Sequence, residues 1–398
     1  MNYETEEQFT PASHDFHKHT SLEQRKKLGQ YMTPSLVSKH LVSELDIQPN
    51  ERVLDPAVGT GELLFHALLS QPDAYYEGWD VDKHVLDYAR QNLPSGIPLE
   101  SKSALEALPL EKWDVIIANP PYFEMKLNDA QKAYFAPVMG GRPNIFTLFF
   151  YQAMCLLKEG GRLGFIVPPS MNNGAFFLNL RRFLIKQGHI KHIKIFTDAK
   201  LFHGAQIAAQ AIIIEKGKMR KEQPFVFHRE DKPFFVEDKE SILSFWEGKS
   251  SLHDLGYKVI TGPIVWNRYK GQFASSEGSI PIVYASDIGV DGKLSWDSRN
   301  EYRRYIAKQS RLPVSKRAIV VNRVTRGLGS RSLRAALVNK EFYGENHINV
   351  ILPRSGLTPL VSMDELLRKI QSVDTRYITA FTGSAQISTR ELEYLIPL

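Results

Sequence analysis

Val53-Leu54-Asp55-Pro56-Ala57-Val58-Gly59-Thr60-Gly61 is a short apolar run closed by an acid and a glycine turn, and it leads into helical spacing over residues 61–69. A strand, turn and helix in that order put glycine backbone at the carboxyl edge of a sheet, where a ligand approaches closely. Only Gly59 and Gly61 fit the dinucleotide fingerprint, whose third glycine is absent, and no Gly-Lys-Ser/Thr follows to make a phosphate loop. The turn therefore suits a cofactor without a pyrophosphate.

Outward from this turn, short apolar runs alternate with longer amphipathic ones. Residues 53–54, 75–79, 114–118, 162–167, 192–196 and 208–214 read as strands, and 61–69, 83–92, 144–157 and 176–187 as helices, with Gly160-Gly161 stopping the third helix. Strand and helix in alternation predict an α/β domain built on a doubly wound parallel sheet. Near residue 225 the pattern breaks into polar sequence rich in Lys, Glu and Pro, so the chain is expected to divide there, into 1–225 and 226–398. Neither half carries an internal repeat or a low-complexity tract.

With 398 residues, 43% hydrophobic and 24% charged, the chain suffices for two packed domains and is too apolar to be disordered. No apolar stretch reaches the ~18 uninterrupted residues of a membrane span, and residues 1–20 are polar rather than an export signal, which predicts a cytoplasmic protein. The single cysteine, Cys155, sits in an apolar segment and reads as a buried thiol, with no thiolate cluster to hold zinc. A net charge of +6 is mild, so its placement matters more than its sum.

One βαβ unit downstream, a second apolar strand ends in Gly78-Trp79-Asp80, where an acid can accept hydrogen bonds from both hydroxyls of a ribose; Asp80 is the candidate and Asp82 the alternative. The strand 114–118 then runs into Asn119-Pro120-Pro121-Tyr122, which stops pairing abruptly and fixes Asn119 and Tyr122 beside the cofactor. An amine conjugated to an aromatic ring is a poor nucleophile. Two acceptors on its hydrogens favour a tetrahedral nitrogen and stabilise the charge that develops during attack. The Asn119 side-chain oxygen and the Pro120 carbonyl, held by Pro121, can supply them while the Tyr122 ring stacks on the flat substrate. A sulfonium methyl is already activated, so the chemistry needs no strong base and no metal.

These residues resemble the amino-methyltransferases of DNA, in particular the gamma-class N6-adenine enzymes of restriction-modification systems, over most of the chain. The resemblance implies a Rossmann-like fold with a mainly parallel seven-stranded sheet, S-adenosyl-L-methionine as methyl donor, and Asn119 to Tyr122 as the catalytic motif. Asp55, Ala57, Gly59 and Gly61 match the first cofactor motif, and Asp80 with Val81 the ribose motif. Leu28-Gly29-Gln30-Tyr31-Met32-Thr33-Pro34 looks like the segment that closes over the methionine end, within 20–45, so Tyr31, Thr33 and Pro34 join the cofactor site. Ser103 stands where the family often has an Asp near the cofactor adenine. Val167-Pro168-Pro169-Ser170 with Phe176-Phe177 is similar to the late motif whose aromatic ring packs on the extruded base; Phe177 is the choice and Phe176 the alternative.

Residues 303–334 carry ten Lys and Arg and no acid, among them Arg303, Arg304, Lys316, Arg317, Arg323, Arg326 and Arg331, which are the expected DNA contacts. Ile260-Thr261-Gly262-Pro263, Asn322-Arg323-Val324-Thr325-Arg326 and 345–350 resemble, more loosely, the α+β recognition domain of such enzymes. The expected function is site-specific methylation of a flipped adenine in double-stranded DNA, protecting the host beside a cognate restriction endonuclease. An RNA adenine-N6 or protein glutamine-N5 methyltransferase, and a DNA-binding regulator on an inactive fold, remain the alternatives.

Overall fold

Along the strands of the N-terminal half apolar residues point both ways, so the sheet they form is covered on each side. The computed structural model describes residues 9–21, 23, 32–106, 110–141, 144–196, 209–217, 222–274, 279–295, 300, 303–307, 315–323, 333–373 and 387–398. The chain divides into two compact units, Met1–Lys239 and Glu240–Leu398.

The first unit contains β1 (Arg52–Asp55), β2 (Tyr75–Asp80), β3 (Leu99–Ser101), β4 (Trp113–Ala118), β5 (Leu157–Val167), β6 (Gly188–Phe196) and β7 (Ala209–Lys216). They form one seven-stranded sheet in the order β3-β2-β1-β4-β5-β7-β6, parallel from β3 to β5, with β7 antiparallel to both neighbours. This is the mainly parallel, Rossmann-like sheet that the alternation and the resemblance predict. From β1 the chain steps outward to β3, then crosses back to β4 on the other side of β1. The carboxyl ends of β1 and β4 therefore flank the switch point at which open α/β sheets bind ligands.

Among the described residues of this unit are helices α1 (Pro11–His19), α2 (Ser35–Leu45), α3 (Glu62–Ser70), α4 (Lys83–Asn92), α5 (Asp129–Tyr134), α6 (Ile145–Leu156) and α7 (Leu178–Gln187). Val53, Val115, Ile117 and Ile213 point to one side and pack with Val37 and Leu41 of α2, Leu64 of α3 and Leu86 of α4. Leu54, Ile116, Phe165 and Ile212 point to the other and pack with Phe146 and Phe150 of α6 and Leu184 of α7. Asp82 caps α4 by accepting from the His84 N–H at 2.9 Å, and Asn144 caps α6 by accepting from the Phe146 N–H at 3.4 Å.

Gly160 and Gly161 act differently from the expectation. The helix before them ends at Leu156 and β5 begins at once, so the glycines lie inside the strand where its pairing with β4 jumps from Leu157 to Arg162. Gly160 has a φ of +76° there, so the pair makes a bulge rather than a helix stop. The first unit also extends past residue 225. The hairpin of β8 (Val226–Arg229) and β9 (Lys232–Phe235) docks on α7, where the buried Arg181 donates from Nε to the Pro233 carbonyl at 2.7 Å.

The second unit is antiparallel in the main. A four-stranded sheet runs in the order β10 (Tyr257–Thr261), β17 (Ile348–Pro353), β14 (Ala318–Asn322), β15 (Ala335–Val338). A second sheet joins β11 (Phe273–Ala274), β13 (Tyr305–Ile306), β12 (Ile280–Val283) and β16 (Tyr343–Gly344). Among the described residues no helix is long and apolar enough to cross a membrane.

Candidate active site

The turn after β1 is a cradle made by two glycines with left-handed backbone. Gly59 has φ +54° and Gly61 φ +83°, and a Cβ on Gly61 would sit 3.0 Å from the Leu93 side chain, so neither position admits another residue without strain. Asp80 braces this cradle from the end of β2: Oδ2 accepts from the Gly59 N–H at 3.0 Å and Oδ1 from the Asp82 N–H at 2.9 Å. Asp55, 1% exposed, accepts from the Ala57 N–H at 3.0 Å.

Burial raises both carboxyls, Asp55 well above the ordinary carboxylate range against its backbone hydrogen bond, with the Asp80 charge adding to the rise. For Asp80 too burial outweighs the N–H groups of Asp82 and Gly59. Two acids side by side at low dielectric are costly to ionise, and a bound group that brings positive charge or hydroxyl donors offsets that cost.

A cavity of about 300 Å³ opens on this edge. Thr33, Asp55, Ala57, Gly59, Asp80, Val81, Ser103, Asn119 and Pro121 line it, as do Asp82 and apolar Phe16, Val85, Phe123 and Phe149. Asp82 spends one carboxylate oxygen capping α4, while both oxygens of Asp80 hold the backbone of the turn. Gly61, Pro34, Pro120 and Tyr122 are not among the lining residues: Gly61 shapes the turn, and Pro34 precedes the first residue of α2. Tyr31 lies outside the described residues. Acids for hydroxyls and cationic groups beside apolar walls for a flat heterocycle fit S-adenosyl-L-methionine.

Asn119 follows β4 and points its amide at both neighbours. Its Nδ2 donates to Thr33 Oγ1 at 2.9 Å, joining the segment before α2 to the turn after β4. The Tyr122 hydroxyl reaches Asn119 Oδ1 and, at 2.8 Å, the Ile166 carbonyl. Asn119 Oδ1 thus already has a hydroxyl against it. The Phe146 ring stands edge-on to Tyr122 at 6.2 Å and tilted against Phe177 at 5.2 Å. Phe177 is half-buried in this aromatic cluster, whereas Phe176 is 66% exposed.

Glu62 is the residue whose role the sequence hid. It opens α3, where an acid is favoured by the helix dipole, and nothing more marks it. In the fold it is 4% exposed; Oε2 accepts from the Thr10 N–H (3.1 Å), Thr10 Oγ1 (2.7 Å) and Ser13 Oγ (2.7 Å), and Oε1 from Ser35 Oγ (2.7 Å). Burial by itself would raise this carboxyl, but the His66 imidazole and the hydroxyls of Ser13, Ser35 and Thr10 together hold it below its ordinary range. One carboxylate therefore ties α1 and α2 to the glycine turn and sets Phe16 in the cavity wall.

The basic tract is less uniform than its composition suggests. Arg304, 6% exposed, is no surface contact: Nη1 donates to the fully buried Asp287 at 2.6 Å and to the Ile282 carbonyl at 3.3 Å. The Arg303 guanidinium lies over the Trp266 and Tyr284 rings at 5.0 and 5.8 Å, a packing role. Arg323 donates to the Asn346 carbonyl at 3.3 Å. Lys316 and Arg317 remain exposed, each beside one acid, Glu341 at 3.8 Å and Asp364 at 2.9 Å. Arg326 and Arg331 lie outside the described residues. Sequence alone could not separate these cases, because an Arg paired in a core and an Arg on a surface read alike.

Comparison with known proteins gives one family. The family model described as N-6 DNA Methylase matches residues 16–249, more than half of the chain. The Type II methyltransferase M.BsuBI of Bacillus subtilis is 22% identical over 93% of this chain and 87% of its own. The Type II methyltransferase M.HincII of Haemophilus influenzae is 26% identical over 54% of this chain and 42% of its own, so the chain spans less than half of that relative. Among solved structures, the M protein of the Type I restriction enzyme EcoKI superposes on 48% of this chain and 44% of its own, with a TM-score of 0.41 and 21% identity.

Proposed function

The chain belongs to the N-6 DNA Methylase family, and from that premise we propose that it methylates N6 of adenine at a specific site in duplex DNA, as the modification partner of a restriction endonuclease. The observation that carries the reading is the Asn119–Tyr122 corner at the end of β4, opening on the cavity lined by Asp55 and Asp80. Closing segment, glycine turn and catalytic corner follow one another in the gamma order.

S-adenosyl-L-methionine, held by Asp80, the Gly59 turn, Asp55 and Thr33, supplies a methyl group made electrophilic by its sulfonium. The chain's own task is to make the amine attack. Asn119 Oδ1 and the Pro120 carbonyl accept hydrogen bonds from its two N–H groups and stabilise the positive charge that grows on nitrogen, which is discharged when the methylated amine releases one proton to water. Thr33 orients Asn119 for this through the bond to Nδ2, so that the amide oxygen, not the NH₂, faces the amine. As the amine arrives, the Tyr122 hydroxyl yields Asn119 Oδ1 and keeps the Ile166 carbonyl, while its ring stacks on the base. Rotating the base out of the duplex costs roughly a few kcal/mol, which contacts from the second unit offset; exposed Lys316 and Arg317 suit its phosphates.

The test is incubation of the protein and its Asn119→Ala variant with the methyl donor and duplex DNA, followed by digestion to nucleosides. N6-methyldeoxyadenosine formed only by the wild type supports the reading. Methylcytosine, or methyl transfer confined to RNA or protein, sinks it. DNA methylated in this way should also resist cleavage by the cognate endonuclease.

A further inference from the structure

Away from the cavity, α2 and β6 bring together three side chains that the methyl-transfer chemistry does not use. His40 and Glu44 stand one turn apart on α2, and His192 faces them from β6. His40 Nε2 lies 3.0 Å from His192 Nε2, and His192 Nδ1 lies 3.7 Å from Glu44 Oε2. The ligand atoms of all three fall within 4.8 Å of one another, and this is the cluster of such residues found among the described ones.

We propose that His40, Glu44 and His192 bind one divalent transition-metal ion of the zinc class, clamping α2 to the edge of the sheet. Two imidazoles and one carboxylate are a borderline-soft donor set, which selects zinc-like ions over magnesium and calcium. With bonds of ~2.0–2.1 Å a tetrahedral ion holds two nitrogens ~3.3 Å apart. The imidazoles already stand close to that spacing, and Glu44, the most exposed of the three, reaches the ion by rotating its side chain.

Two further features aim the rings. β6 carries a register shift between Ile190 and His192, the kind of bulge that turns a side chain out of the regular pleat. Phe196 stands edge-on to the His40 ring at 5.6 Å, and Phe225 edge-on to the His192 ring at 6.1 Å. The competing reading is a plain His-His hydrogen bond with no ion.

The full chain, stripped with a chelator, is titrated with zinc chloride and separately with cobalt chloride. The expected result is one zinc bound per chain, a rise in Tm on binding, and cobalt bands of a tetrahedral nitrogen and oxygen site. His192→Gln, which keeps a hydrogen-bonding side chain and hence the fold, should lose affinity by at least about 100-fold, the upper end of what an outer-shell partner alone costs; His40→Gln should match it. Absence of stoichiometric zinc binding, or zinc binding unchanged in both variants, overturns the proposal. Both outcomes are read without methyl transfer, so they are independent of the activity.

Discussion

Replacing Asn119 by Ala removes one of the two acceptors proposed for the amine and, on its other side, the hydrogen bond to Thr33. The two losses differ in size. A donor or acceptor aimed at transition-state charge is worth ~10²–10³ in turnover, or about 2.7–4 kcal/mol. A neutral hydrogen bond is worth about 0.5–1.5 kcal/mol, which limits the cost to cofactor affinity to roughly tenfold. Asn119→Ala should therefore lower kcat at least about 100-fold while the cofactor Kd rises no more than about 10-fold. Thr33→Val leaves the Asn119 amide free to turn its NH₂ toward the amine, and should cost about 10-fold in kcat. Because Thr33 acts through Asn119, the double variant should be no slower than Asn119→Ala. Single-turnover methyl transfer and cofactor titration give the four values. Full turnover in Thr33→Val, or losses that multiply in the double variant, would refute the coupling.

Tyr122→Phe keeps the stacking ring and removes the hydroxyl that touches Asn119 and Ile166, so it should retain most turnover, whereas Tyr122→Ala should lose a further ~10–100-fold, as stacking is worth about 1–3 kcal/mol; equal losses would assign the role to the hydroxyl. Because burial raises the Asp55 carboxyl, its ionised form opposes folding, increasingly as pH rises through its folded pKa. Asp55→Asn should accordingly raise the Tm of the cofactor-free protein at neutral pH, by about 2–4 °C per kcal/mol relieved, and weaken cofactor binding; a lower Tm would contradict this. Glu62 has the opposite sign: its pKa lies below the ordinary 4.5, so its hold on α1 is fully present above that pH and is lost as pH falls below it. Hydrogen exchange of residues 11–19 should accelerate over that acidic range in the wild type and already at neutral pH in Glu62→Gln; exchange that does not respond would count against the carboxylate tie. Arg304→Ala should destabilise the second unit by about 3–5 kcal/mol, since it strands the buried Asp287, while Lys316→Ala should leave Tm alone and reduce the salt dependence of DNA binding; the reverse pattern would return Arg304 to the surface role.

What could be read in advance follows from periodicity and from turns. The strands at 53–54 and 114–118 stood out because their apolar runs are buried on both faces, and the helix at 83–92 begins and ends where the helical spacing puts it. Asn119, Pro121, Asp55, Gly59 and Asp80 were legible because each is fixed at a strand end by local sequence, and all reach one cavity through the switch-point topology. Three-residue β3 is too short to show a period. Helix α1 lies in polar sequence and is held by long-range bonds from Thr10 and Ser13 to Glu62, which no local pattern reveals. The basic tract misled for a related reason: the fold pairs Arg304 with Asp287, an acid seventeen positions earlier in the chain.

The most direct test is a crystal structure of the protein with a methyl-donor analogue and duplex DNA. The expected result is an extruded adenine whose N6 lies about 3 Å from both Asn119 Oδ1 and the Pro120 carbonyl, with the Tyr122 hydroxyl moved off Asn119. An amine held by other groups, with residues 119–122 remote from the donor's reactive end, would contradict it.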